Sequence, residues 1–211
     1  MGDTLTFVAA TGAMTMALLL PGYTLLSGIE MPRALTTGVL VFCLCAFVMG
    51  EVVGLYRTNG WWDVGLHLLA SAVLAIAGVA MALLATEGAP PRTALWILAI
   101  LGVGFAALVG AFWEMFEFSI DWTFGTHAQR SGLPDTMGDI ATNVVGATYG
   151  ATAAVLRLSR GARLPLTGLL VEFCAANPII YGAWPGVPFP ARPRAHAAPR
   201  GTAGPKVEAS S

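Results

Sequence analysis

Five stretches of this chain, approximately residues 4–29, 35–56, 62–86, 93–118 and 136–158, are long and apolar enough to cross a bilayer. Crossing the hydrocarbon takes about 20 mostly apolar residues per helix. A lipid-exposed segment must satisfy its backbone polar groups internally, which leaves helices or a closed barrel, and unbroken apolar runs of this length select helices. The residues between the runs agree. Only 11% of the chain is charged, against about 25% in a typical soluble domain, too few polar groups to cover a water-facing surface. An ordinary cytoplasmic enzyme is thereby excluded. The net charge of −1 also removes the basic field that nucleic-acid binding requires. The expected fold class is all-α: a polytopic transmembrane helix bundle of about five spans with a disordered C-terminal tail, its partner the lipid bilayer.

The organisation follows from the breaks. Glu30-Met31-Pro32-Arg33, Arg57-Thr58-Asn59-Gly60, Glu87 to Arg92 and the polar stretch His127 to Asp135 combine Gly or Pro with charge, as turns in water do. Met1-Gly2-Asp3-Thr4 has no basic n-region, so the first run is expected to be a retained span rather than a signal peptide. Residues 1–163 form the transmembrane domain. Residues 164–190 are apolar but interrupted by proline, which suits an interfacial or loosely packed segment better than a sixth span. Residues 191–211 are Pro/Ala/Arg/Gly-rich and expected to be disordered. Three cysteines, Cys43, Cys45 and Cys174, do not suggest a disulfide framework.

Basic residues set orientation, because cytoplasmic loops retain Lys and Arg. On the side that five spans assign to the C-terminus lie Arg33, Arg92, Arg157, Arg160, Arg163, Arg192, Arg194, Arg200 and Lys206; Arg57 and Arg130 fall on the other. The expectation is a bacterial inner-membrane protein with its N-terminus outside and its C-terminus in the cytoplasm.

Seven carboxylates fall at helix ends that any alternating five-span threading puts on one side: Glu51, Asp63, Glu114, Glu117, Asp121, Asp135 and Asp139. Their spacing adds a second constraint. Asp63 and His67 are four apart, Glu114 and Glu117 three, Glu117 and Asp121 four, and Asp135, Asp139 and Asn143 continue at intervals of four; residues so spaced share a helix face. Polar stripes in a membrane turn inward. The expectation is a polar chamber open to the outer face, between the third, fourth and fifth spans. Repelling carboxylates at low dielectric must hold protons, bind metal or bind a cationic ligand.

Plainer readings exist for several members. Asp63 and Asp135 suit helix N-caps, Glu51 an interfacial position and His127 a solvated loop, while Trp61, Trp62 and Trp122 suit interfacial anchors. Gly50-xxx-Gly54 and Gly146-xxx-Gly150 are explained by close helix packing. Glu114, Glu117, His67, Asp139 and Asn143 lie inside apolar runs, where neither solvent nor capping accounts for them.

Two segments carry a family resemblance: Phe112-Trp113-Glu114-Met115-Phe116-Glu117-Phe118, and the stretch from Gln129 through Pro134-Asp135-Thr136-Met137-Gly138-Asp139 to Asn143 and Ala147. With Trp62-Asp63-Val64-Gly65-Leu66-His67, they resemble the bacterial YjdF-like inner-membrane proteins over roughly residues 35 to 158, and more distantly the VanZ-like proteins. The resemblance implies a small polytopic membrane protein whose polar positions fall on Asp63, His67, Glu114, Glu117, Gln129, Asp135, Asp139 and Asn143. It implies no particular reaction. Where family members often carry Lys after the Asp, this chain has Val64, so that cation's role is absent or moved to Arg57 or Arg130.

Three functions stay open at this point. One is a metal-dependent membrane enzyme acting on a lipid-linked substrate, with a divalent ion held by His67, Glu114, Glu117 and Asp139. The second is a proton- or cation-coupled transporter. The third is a non-catalytic protein in which the cluster is a structural hydrogen-bond network or a small-molecule site.

Overall fold

The computed structural model describes residues 2–84 and 94–178. The Glu87–Arg92 break, the second half of the 164–190 segment and the tail lie outside the described residues. The described chain is helical and runs α1 (Gly2–Ser27), α2 (Arg33–Cys43), α3 (Leu55–Thr58), α4 (Trp61–Leu84), α5 (Leu95–Phe124), α6 (Leu133–Arg160) and α7 (Thr167–Ala176). Helix α2 continues as a π-helix over Leu44–Val52, closed by Val53 N–H donating to the Val48 carbonyl at 2.9 Å.

Four segments are long and apolar enough to span a membrane by themselves: Ala10–Ser27, Arg33–Val52, Trp61–Leu84 and Leu95–Phe124. Helix α6 has the length, at 28 residues, but exchanges part of its apolar content for a polar stripe. It is the fifth long helix and packs against both α4 and α5. Helix α7 has only ten residues, about 15 Å at 1.5 Å per residue, half the hydrocarbon thickness.

Small residues bring α4, α5 and α6 together. A Cβ built on Gly150 would stand 2.8 Å from the carbonyl carbon of Ala72, and one on Gly146 would meet the Leu68 carbonyl and the Ser71 hydroxyl. Around them Ala75, Ala106, Ala147 and Ala151 form a buried seam. Close backbone approach through Gly and Ala is how membrane helices gain packing contact without a hydrophobic driving force. The outer surface is the converse, with Leu25 and Leu26 exposed by 86% and 90%, as a lipid-facing wall should be.

Gly50 and Gly54 depart from the small-residue packing expected of them. Gly54 has φ +85° and Gly50 lies under the Tyr56 ring, so this pair serves the break after the π-helix rather than a helix–helix contact. The fourth span also runs further than expected, to Phe124, ending at Gly125 in the left-handed conformation; Asp121 is therefore helical.

The two ends of the bundle differ in chemistry. At the end away from the carboxylates, Val79, Leu83, Leu98, Leu158, Leu170 and Phe173 form an apolar core. There α7 ties down the α1–α2 connection. Glu172 Oε1 accepts from the Arg33 N–H at 2.8 Å. Buried Asn177 accepts from the Glu30 N–H and donates to the Glu30 and Phe173 carbonyls, each at 2.8 Å. Helix α1 packs mainly on α2 and its π-helical continuation, which leaves a cleft between that hairpin and the three-helix core.

Candidate functional site

At the opposite end the polar stripes of α4, α5 and α6 meet. From α4, Asp63 and His67 point inward one turn apart; from α5, Glu114 and Glu117; from α6, Asp139 and Asn143. Asp63, Glu114, Asp139 and Asn143 are all buried, Glu114 and Asp139 each 5% exposed.

The donor atoms fall into two sets of three. Asp63, His67 and Asp139 bring one ligand atom each within 4.8 Å of one another, and so do Glu114, Glu117 and Asp139. Asp139 belongs to both, and a carboxylate has two oxygens with which to serve them.

His67 is fixed from both ring nitrogens. Its Nδ1 faces Asn143 Oδ1 at 3.3 Å, and its Nε2 faces the carboxylates of Asp63 and Asp139. Nε2 in turn stands 3.7 Å from Asp63 Oδ1 and 3.7 Å from Asp139 Oδ1. That is too long for a hydrogen bond but within ion-pair distance for a protonated imidazole. It is close to the spacing of about 3.4 Å between neighbouring donors around a tetrahedral ion with bonds of about 2.1 Å. A histidine oriented through its second nitrogen is also the usual second-shell arrangement at metals.

Glu114 supplies the other unusual feature. Both its carboxylate oxygens are fully buried and without a hydrogen-bond partner, with the Thr136 hydroxyl close by. Buried carboxylate oxygens are expensive to leave unpaired.

The cation that contacts this cluster is Arg130, from the α5–α6 loop. Its Nη1 pairs with Asp63 Oδ2 at 3.1 Å, and its guanidinium lies over the Tyr56 ring at 4.2 Å. Burial works against the guanidinium's charge, but Asp63 and then Asp135 outweigh it and hold the pKa of Arg130 above its ordinary value. Tyr56 is raised too, by burial first and by the Asp63 charge second, so its hydroxyl keeps its proton.

The remaining candidates hold the frame. Asp121 accepts from the Thr126 hydroxyl at 2.6 Å and from the Ala128 and Gln129 N–H groups at 2.8 and 2.9 Å, which stitches the loop carrying Arg130 to the end of α5. Asp135 accepts from the Arg130 N–H at 3.1 Å and Gln129 donates to Thr136 at 2.8 Å. Neither belongs to a donor set. Glu51 lines the adjoining cavity without joining one, and His127 is exposed. Trp61 and Trp122 are 66% and 83% exposed, at the depth where aromatic anchors collect. The cysteines are free thiols. Tyr56 and Thr136 had no pattern to announce them, since one sits in a break and the other is a single hydroxyl between two carboxylates.

The cluster opens into a cavity of about 150 Å³ between the α1–α2 hairpin and the core. Asp63, His67 and Glu117 line it; Glu114 and Asp139 lie behind them. The polar groups therefore have an open side and a closed side.

No curated protein and no solved structure matches this chain. The family described as "Predicted membrane protein (DUF2238)" matches residues 2–160, a range that takes in all five long helices and every residue of the two donor sets. The chain thus belongs to the DUF2238 family of membrane proteins.

Proposed function

We propose that this protein binds divalent metal at the shared end of α4, α5 and α6, in two adjacent positions joined by Asp139. The observation that carries the reading is the incompleteness of the cluster as a hydrogen-bond network. A structural network is satisfied, whereas here Glu114 has two buried oxygens without a bond, and His67 Nε2 stands between two carboxylates at 3.7 Å, within ion-pair reach but beyond hydrogen-bond length. Cations between these groups would complete both. The all-oxygen set Glu114, Glu117 and Asp139 suits Mg²⁺ or Mn²⁺, and the mixed set with His67 also suits Zn²⁺ or Fe.

A through-route for ions has less support. The apolar core of Val79, Leu83, Leu98, Leu158, Leu170 and Phe173 stands between the cluster and the far side of the bundle. The site is served from one face.

The test is metal analysis of detergent-purified protein followed by Mn²⁺ titration read by electron paramagnetic resonance. The wild type is expected to take up stoichiometric metal and Glu114→Gln/Glu117→Gln to lose at least half of it. Metal-free wild type that also fails to bind added Mn²⁺ would overturn the reading.

We further propose that the site faces the outside of a bacterial inner membrane, from the excess of basic residues on the other side. Reporter fusions at Gly88 and Ala197 are expected to read cytoplasmic and one at Ser131 extracytoplasmic. A cytoplasmic signal at Ser131 reverses the orientation.

A further inference from the structure

The cavity beside the cluster has two kinds of wall. At its polar end stand Asp63, His67 and Glu117 with Tyr56 and Arg130, and away from that end it runs along apolar side chains contributed by α1, α2, α4 and α5, among them Met16, Phe42, Phe47, Leu66, Leu74 and Val109. A site for a small ion needs no such corridor. The helices that flank its open side carry exposed apolar side chains, Met14 and Leu18 on α1 and Leu40 and Val41 on α2, a surface that in a membrane meets lipid. A long-chain molecule can enter there without leaving the hydrocarbon.

Charge decides the headgroup. Unmetallated, the polar end holds five carboxylates, Glu51, Asp63 and Glu117 on the cavity wall and Glu114 and Asp139 behind it, against the Arg130 guanidinium and would repel an anion. Two divalent ions would cancel that charge and set cationic centres beside the wall. Two metal positions joined by one carboxylate form the clamp that phosphoryl oxygens occupy in two-metal sites, and Arg130 at the mouth adds planar donors beyond the Nη1 that Asp63 uses, suited to phosphate oxygens. Resting on the metal reading above, we propose that the ligand is a single-chain lipid phosphate, its phosphate at the metal-bearing end between His67, Glu117 and Arg130, the first carbons of its chain against Phe47, Leu74 and Val109, and the rest of the chain leaving through the open side of the cavity.

Hexadecyl phosphate is the probe, added to the detergent-purified full-length protein loaded with Mn²⁺, with broadening of its ³¹P resonance by the bound ion as the readout. Inorganic phosphate and hexadecanol serve as comparisons. Hexadecyl phosphate is expected to be broadened at concentrations at least tenfold below those needed for inorganic phosphate. Leu74→Trp, on the cavity wall two helical turns from His67, is expected to abolish that advantage while leaving Mn²⁺ uptake unchanged; Met16→Trp does the same from the α1 side should the first variant fail to fold. Mn²⁺ bound without ³¹P broadening overturns the lipid proposal and leaves the metal reading standing. No Mn²⁺ uptake overturns the metal reading itself. Inorganic phosphate binding as tightly as hexadecyl phosphate, or indifference to both corridor variants, assigns the site to free phosphate and overturns the lipid proposal. Hexadecanol competing as well as hexadecyl phosphate removes the role given to the headgroup.

Discussion

Asp139→Asn is expected to remove both metal equivalents at once, whereas His67→Ala removes only one. The difference follows from the two donor sets, which share Asp139 while His67 belongs to one of them. Loss of an outer-shell partner typically costs metal affinity 10–100-fold, so loss of a shared ligand should cost more than about 100-fold. Asn143→Ala tests the outer shell directly. It removes the group that orients His67 and should weaken one equivalent about 10–100-fold while leaving the other. Mn²⁺ titration of the three variants reads stoichiometry and affinity together. Combining Asp139→Asn with Glu117→Gln should add little, because residues that act as a unit are not additive. Equal, independent and additive losses from all of these substitutions would show separate helix caps in place of a shared site.

Gly150→Leu is expected to be the most damaging single change outside the polar cluster. The closest approach of α6 to α4 runs over this residue, where even a Cβ would stand 2.8 Å from the Ala72 carbonyl carbon, and backbone cannot give way as a flexible side chain can. Overpacking of this kind costs about 1–3 kcal/mol and sometimes more. Gly146→Leu should behave alike, since its Cβ would fall on the Leu68 carbonyl. The comparison is Gly104→Leu on exposed α5 surface, where nothing lies within 4 Å and the change should be nearly neutral. Thermal denaturation in detergent gives the order. Because α4 and α6 carry three of the ligands between them, the Gly150 variant should also lose metal before it loses helix content by circular dichroism. Equal stability of the Gly150 and Gly104 variants would contradict the packing.

How far the sequence reaches is visible at particular residues. Helix starts and stops were close for α1, α4 and α6, because an apolar run bounded by charge, Gly or Pro is a local signal. They were poorer where continuation depends on neighbours. Helix α5 runs to Phe124 since the loop beyond it folds back onto Asp121, and the π-helical segment Leu44–Val52 has no periodic signature. One carbonyl of that segment, Cys45, accepts from the Trp62 indole at 3.3 Å, a long-range contact that no window of sequence contains.

By itself the sequence determined that the chain lives in a membrane, that it is built from long helices and that its carboxylates gather at one end. Each of these follows from length, hydropathy and a period of 3.6 residues, which are properties of one segment at a time. Only the tertiary structure decided which carboxylates meet. Distances between helices depend on how closely the backbones approach at Gly146 and Gly150 and on where the Asp121-stitched loop delivers Arg130. Those contacts put Asp139 in both donor sets, leave Asp135 and Gln129 to hold the loop, and deny Glu114 a hydrogen bond, because a side chain's partners are set by the helix across from it.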